Sequence, residues 1–257
     1  MPADRPIWGL LSALPEEQLG LVDLLDDVVP PVLHAGRQFV QGRLAGHRVV
    51  LALCGIGKVA AAATTAMLVE RFGVERLVFT GVAGGLSPGA RIGDVVVADG
   101  FMQHDMDASP LFPRYEIPLY GRALFDADAD LSNRLDAAAR IALADPVALC
   151  GPEDRARFLP DEVRVHRGLL VSGDRFVSAL KEAADLRAGI PAAMAVDMES
   201  AAVAQVCRDY GVRFAAVRTI SDRADDSAHV DFPAFVETVA SRYASAIVAA
   251  LFRDDAT

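Results

Sequence analysis

Five short apolar runs in this chain stop at a glycine or an acid, and three of them lead straight into helix-forming segments. No other feature constrains the fold as much. Residues Ile7–Ser12 end before Pro15-Glu16-Glu17. Residues 48–54 end at Gly55-Ile56-Gly57-Lys58, residues 76–80 at Gly81-Val82-Ala83-Gly84-Gly85, and residues 194–196 at Asp197-Met198-Glu199. Residues 213–220 end at Ser221-Asp222. Apolar runs of this length, alternating with Ala-rich helical segments, predict an α/β fold: one domain over residues 1–257, with a twisted mixed central sheet flanked by helices. In such sheets ligands bind beyond the carboxyl ends of strands, where these glycines and acids lie.

Local signals fill in the order. Proline and two acids after the first strand predict a helix from Pro15 through Leu19, Val22 and Leu25. Residues 38–44 and 48–54 read as a hairpin around Ala45-Gly46-His47, and residues 59–72 as a helix stopped by Gly73. Gly55 to Lys58 lacks the spacing of a nucleotide phosphate loop and reads as a tight strand-to-helix turn. The glycines of residues 81–85 read as a turn with positive φ that lets backbone amides approach a ligand. Residues 94–99 and 168–172 read as strands, and residues 131–143, 178–186, 201–210 and 232–252 as helices. Residues 144–165, with Pro152 and Pro160 and little periodicity, read as a loop insertion. Glu199 falls in the first turn of its helix, where the helix dipole alone would explain a carboxylate.

Composition narrows the partners. With 53% hydrophobic residues but only 7% aromatic, the core must be filled by Ala, Val and Leu. A net charge of −10 with no basic cluster argues against nucleic acid or an anionic membrane. Three scattered cysteines give neither a disulfide framework nor a zinc spacing, which points to the cytoplasm. The acids at Glu16 and Glu17 break the signal-peptide pattern, and no apolar run reaches the roughly 18 residues of a membrane span. His104-Asp105-Met106-Asp107 has metal-capable groups but no companion cluster, so it reads as a hydrogen-bonded loop; no metal or cofactor is expected. Residues 110–119, with Phe112 and Tyr115 among prolines, predict an ordered loop suited to a subunit interface.

Taken in order, six motifs resemble one family: Gly55-Ile56-Gly57-Lys58-Val59-Ala60-Ala61, Thr80-Gly81-Val82-Ala83-Gly84-Gly85-Leu86, Ile92-Gly93-Asp94-Val95-Val96-Val97, Gly168-Leu169-Leu170-Val171-Ser172-Gly173-Asp174, Val196-Asp197-Met198-Glu199 and Arg218-Thr219-Ile220-Ser221-Asp222. They are similar to the 5′-methylthioadenosine/S-adenosylhomocysteine nucleosidases of the purine and uridine phosphorylase superfamily. The resemblance implies a nucleoside phosphorylase-like fold, a homodimer, and hydrolysis of a purine N-glycosidic bond with release of adenine. It assigns Glu17 to the attacking water, Glu199 to the ribose hydroxyls, and Asp222, positioned by Ser221, to protonation of adenine N7. An acid in that last role needs a pKa raised by burial or by neighbouring carboxylates. It also implies that Phe176 stacks on adenine, the Val177 backbone reads the base edge, Met198 lies against the sugar, and Leu14 and Ile56 face the 5′ substituent.

Two departures stand out. Many relatives have serine at Val82, so a polar contact near the sugar or water is replaced, with backbone N–H groups the available substitute. The segment 144–165 is also long, which bears on the 5′ group. Three other readings compete. A phosphorylase of this fold commonly has arginine two residues before the first glycine of the Gly-rich stretch, where this chain has Phe79. A hydrolase of another 5′-substituted purine nucleoside, of the futalosine type, would share nearly the same site. A non-catalytic nucleoside-binding protein would have no need to keep Glu17, Glu199 and Asp222 together.

Overall fold

The computed structural model describes residues 6–223 and 232–253. Its strands are β1 (Ile7–Ser12), β2 (Val32–His34), β3 (Arg37–Leu44), β4 (His47–Leu53), β5 (Val74–Gly85), β6 (Val95–Gln103), β7 (Leu124–Asp126), β8 (Val165–Ser172), β9 (Ala193–Asp197) and β10 (Arg213–Asp222). Its α-helices are α1 (Lys58–Phe72), α2 (Ala129–Ala142), α3 (Pro146–Phe158), α4 (Leu180–Gly189), α5 (Ser200–Tyr210), α6 (Phe232–Phe235) and α7 (Ser241–Arg253), the last two joined by a π-helical segment, Val236–Ala240.

All ten strands form one mixed sheet, in the order β10-β6-β8-β9-β5-β1-β4-β3-β2 with β7 beside β6. β10 also pairs with β5, so β5, β10, β6, β8 and β9 close into a ring. β1 is parallel to β4 and β5, and β10 is parallel to β5. β6 runs against β10, and β8 and β9 follow β6, so β9 meets the end of β5 antiparallel. The twelve-residue β5 is the spine: its first part pairs with β1, β10 runs beside it from Arg76 to Gly84, and its last residues, Gly84 and Gly85, pair with Val196 and Ala195 of β9.

Successive strand residues point to opposite faces, and the two cores show that period. Leu10, Val78, Val95 and Val97 belong to the cluster with Leu135 of α2 and Val248 and Leu251 of α7. Their neighbours Leu11, Phe79, Val96 and Ala98 belong to the cluster with Ala61 and Leu68 of α1 and Ala201 and Val203 of α5. Each fully buried Leu or Val contributes about 1.5–3 kcal/mol relative to an exposed one. The helix from Phe232 to Arg253 is long and apolar enough to cross a membrane by length and composition, but 67% of its most apolar window is buried inside this fold. The helix stops are as expected: Gly73 and Gly211 close α1 and α5 in the left-handed region, at φ 67° and 69°.

Three local expectations are corrected. The segment after β1 is two short 3-10 turns, Pro15–Gln18 and Val22–Leu24, because Gly20 at φ 80° interrupts the helix and the Glu17 side chain turns back onto Ala13 and Leu14. Residues 144–165 are largely helical: Asp145 caps α3 by accepting from Ala148 N–H, Pro146 opens it and Cys150 is buried. Gly151, at φ 80° ahead of Pro152, kinks α3 and erases the helical period from the sequence. The glycines of residues 81–85 lie in β5 as extended backbone, and none has positive φ.

Candidate active site

The ends of β1, β4, β5, β9 and β10 surround one cavity. Leu14, Glu17, Ile56, Val82, Phe176, Val177, Met198, Glu199, Ser221 and Asp222 all line it. These ten residues come from six separate parts of the sequence, brought together around β5 by its pairings with β1, β9 and β10. β9 arrives from the direction opposite to β5, so the convergence does not come from strands that all run parallel; the ring lays the carboxyl end of β9 beside the last residues of β5.

Glu17 is buried while Glu16, one residue earlier, faces solvent. Glu17 Oε2 accepts from the amides of Ala13 at 2.8 Å and Leu14 at 2.9 Å, and Oε1 accepts from the amide of Val82 at 3.1 Å. The contact at position 82 is therefore made by the main chain, which the change from serine to valine leaves intact. Gly81 explains the glycine run: a Cβ there would lie 2.7 Å from Glu17 Oε1 and 2.9 Å from Arg218 Nη1. The residue is glycine to clear space for two charged side chains. Burial raises the Glu17 pKa, against the opposing pull of the Arg218 charge and of the three amide hydrogen bonds.

Glu199 is the N-cap of α5, and its carboxylate reaches away from that helix. Oε1 accepts from Gly57 N–H at 2.9 Å, across the turn between β4 and α1, and Oε2 accepts from Met198 N–H at 3.3 Å. Burial, and then the charge of Asp197, push its pKa up to about 7, with Arg218 and the Gly57 amide opposing. Asp197 is held on all sides: it accepts from the hydroxyls of Ser172 and Ser200, from the amides of Glu199 and Ser200, and from Arg218 Nε at 2.9 Å. It serves as the anchor of the β9 end.

Asp222 is 4% exposed, and its Oδ2 accepts from Ser221 Oγ at 2.7 Å. Phe176 is half-exposed at the cavity, and the ring of Phe232, at the start of α6, meets it edge-on with centroids 6.3 Å apart. Val177 is buried beside it. The acids Asp225 and Asp226, downstream of Asp222, lie outside the described residues.

A family model described as "Phosphorylase superfamily" matches residues 8–253. A 5′-methylthioadenosine/S-adenosylhomocysteine nucleosidase from Exiguobacterium sp. (strain ATCC BAA-1283 / AT1b) is 36% identical over 242 residues, covering 94% of this chain and 95% of its own. The chain belongs to that nucleosidase family. A further family member, from Neisseria meningitidis, was solved in complex with methylthio-immucillin-A. It superposes with a TM-score of 0.84 at 33% identity, covering 96% of this chain and 99% of its own. The futalosine hydrolase of Helicobacter pylori strain 26695 is also similar, with a TM-score of 0.80 at 29% identity, covering 97% and 98%.

Against this nucleosidase frame, two residues escaped the sequence reading, Arg218, buried beside Asp197, and Phe232, in the cavity wall. Arg218 is 1% exposed, donates to Asp197 and to Ser200 Oγ, and lies 3.8 Å from the centre of the Phe79 ring. Its Nη1 has no hydrogen-bond partner among the described residues. Within an apolar strand it looks like a surface residue; only the excess of buried acids around it hints that a cation must be buried too. Phe232 gave no signal beyond opening a helix. His104 to Asp107 proves to be a hydrogen-bonded loop: Asp105 accepts from Lys58 Nζ at 2.6 Å and from Asp174 N–H at 2.9 Å.

Proposed function

We propose that this protein hydrolyses the N-glycosidic bond of 5′-methylthioadenosine, S-adenosylhomocysteine or both, releasing adenine. One observation carries the reading: Glu17, Glu199 and Asp222, far apart in sequence, line a single cavity together with the aromatic face of Phe176. The C1′–N9 bond breaks toward a sugar cation while its electron pair moves onto the base. Asp222, oriented by Ser221, delivers a proton to N7 and neutralises that charge. Glu199 accepts from the ribose hydroxyls and favours the developing cation. Glu17 takes a proton from water as the water attacks C1′. Burial raises its pKa, which makes its ionised form a stronger base than an exposed carboxylate, and the Arg218 charge opposes that rise. Phe176 offers a ring for the base to stack on, and Leu14, Ile56 and Phe232 make the cavity wall apolar.

Phosphorolysis fits the site poorly. Phosphate needs cationic donors, yet Glu17, Asp197, Glu199 and Asp222 line the cavity, and among the described residues its one lining arginine, Arg175, is already paired with Glu182. Phe79 is packed against the guanidinium of Arg218 and presents no charge. The similarity to a futalosine hydrolase favours a second substrate class, purine nucleosides with a larger 5′ group. Adenine release from a panel of 5′-substituted nucleosides, with and without phosphate, tests both points; strict phosphate dependence would overturn the hydrolytic reading. The same reading makes the protein a cytoplasmic homodimer. Support comes from Leu111 and Leu119, 83% and 91% exposed in the loop after β6, and from Val59, 80% exposed beside the cavity turn. Light scattering on the purified protein tests the dimer, and cell fractionation tests the compartment.

A further inference from the structure

Two consecutive amides at the start of α1 are given to two different carboxylates. Gly57 N–H donates to Glu199 Oε1 at 2.9 Å, and Lys58 N–H donates to Asp174 Oδ1 at 2.8 Å. Asp174 lies two residues before Phe176, in the loop between β8 and α4. One turn thus touches both the carboxylate assigned to the sugar and the loop assigned to the base. Gly57 sits at φ 96°, which favours glycine, and a Cβ there would crowd Asp174 Oδ1 at 3.1 Å.

A second layer fixes this arrangement. Asp105 accepts from Lys58 Nζ through Oδ1 at 2.6 Å and from the Asp174 amide through Oδ2 at 2.9 Å. Lys58 Nζ also donates to Gln103 Oε1 at 3.0 Å, and Gln103 Nε2 donates to Gln205 of α5 at 2.8 Å. The loop lies directly on this layer: a Cβ at Gly173 would be 2.4 Å from His104 Nε2 and 3.1 Å from the Asp105 carboxyl carbon. Burial alone would raise the Asp105 pKa, but the Lys58 ammonium and the Asp174 amide bring it below the ordinary carboxylate value.

We propose that Asp105 is a positioning residue which, through Lys58 and Asp174, sets the spacing between Glu199 and the Phe176 loop and so makes the sugar and base subsites act as one. This rests on the roles given to Glu199 and Phe176 under the proposed function. A ligand that fills one subsite feels little of the spacing; a nucleoside that spans both feels all of it. The network is therefore read by comparing the whole nucleoside with free adenine.

The experiment measures kcat and KM for 5′-methylthioadenosine, the inhibition constant of adenine, and thermal stability, in the wild type and in Asp105→Asn, Lys58→Met, Asp174→Ala and Asp174→Asn. Asp174 is exposed, and the melting temperature of each variant separates a folding defect from a positioning one. Expected are a loss of tenfold or more in kcat/KM for Asp105→Asn, Lys58→Met and Asp174→Ala, and an adenine constant within about twofold of wild type. Asp174→Asn keeps the oxygen that accepts from Lys58 N–H and should recover most of the activity. Wild-type kcat/KM in Asp174→Ala and Asp105→Asn overturns the proposal. So does a loss that Asp174→Asn fails to rescue, or one that appears equally in adenine binding. A wild-type enzyme that releases no adenine overturns the functional reading instead.

Discussion

The Glu17 carboxylate and the Val82 amide, 65 residues apart, are hydrogen-bonded at 3.1 Å over a glycine that has no room for a side chain. A methyl group at position 81 would strike Glu17 Oε1 and Arg218 Nη1 together. Gly81→Ala should therefore displace the base. General-base catalysis contributes about 10²–10⁴-fold, so kcat should fall by at least roughly 10². Steady-state kinetics beside a circular dichroism spectrum separates this from unfolding; a variant with wild-type kcat would show that Glu17 can move without cost.

The two proton-transfer acids should separate in their effects. Asp222→Asn keeps the shape and an acceptor for Ser221 but removes the proton donor, so adenine release should be abolished while the melting temperature changes little. Glu17→Gln should lose turnover yet still bind a nucleoside analogue, measured by titration calorimetry. Full activity in the first variant, or unaltered turnover in the second, would remove that residue from the mechanism.

The pH dependence follows from Glu199. Its folded pKa, about 7, lies above the ordinary glutamate value of 4.5, so the folded protein binds that proton more tightly than the unfolded chain. The stabilising contribution is complete below about pH 4.5 and is lost as pH rises through about 7. Activity runs the other way, because acceptance from the ribose hydroxyls needs the ionised form. Asp197, Arg218, Glu17 and the Gly57 amide all act on this group, so the rising limb belongs to a coupled set. A kcat/KM profile should climb with an apparent pKa near 7, and Glu199→Gln should flatten it. A limb that survives in that variant assigns the titration elsewhere.

Removing Arg218 should test the anchor of β9. Arg218→Met leaves the buried Asp197 carboxylate without its ion-pair partner, a change that typically costs about 3–5 kcal/mol. Urea denaturation measures it; a loss below about 1 kcal/mol would mean that Ser172 and Ser200 hold Asp197 unaided.

Much of the architecture was legible because local signals agreed with the global fold. The β3–β4 hairpin was marked by Ala45-Gly46, which adopt φ 49° and 80°, and α1 by its Ala-rich run and Gly73. The acids of the cavity were legible because strand ends in an α/β sheet must lie on one of its edges. Other features had no local signature. The glycines of β5 look like a turn because sequence cannot distinguish glycine chosen for its φ from glycine chosen for clearance. Arg218 is hidden because its partners are supplied by β9 and α5, close only after the ring has closed. The helix α3 was masked by Gly151-Pro152, which breaks the period without ending the element.

The closed ring has a consequence for how the molecule fails. A strand at the margin of an open sheet can peel off and leave the remainder standing, but β5, β10, β6, β8 and β9 each have a neighbour on either side. Catalytic competence should then vanish at the same temperature as the tertiary structure, with no inactive yet folded species on the way. Amide protons in the middle of β5 should be among the last in the protein to exchange with heavy water.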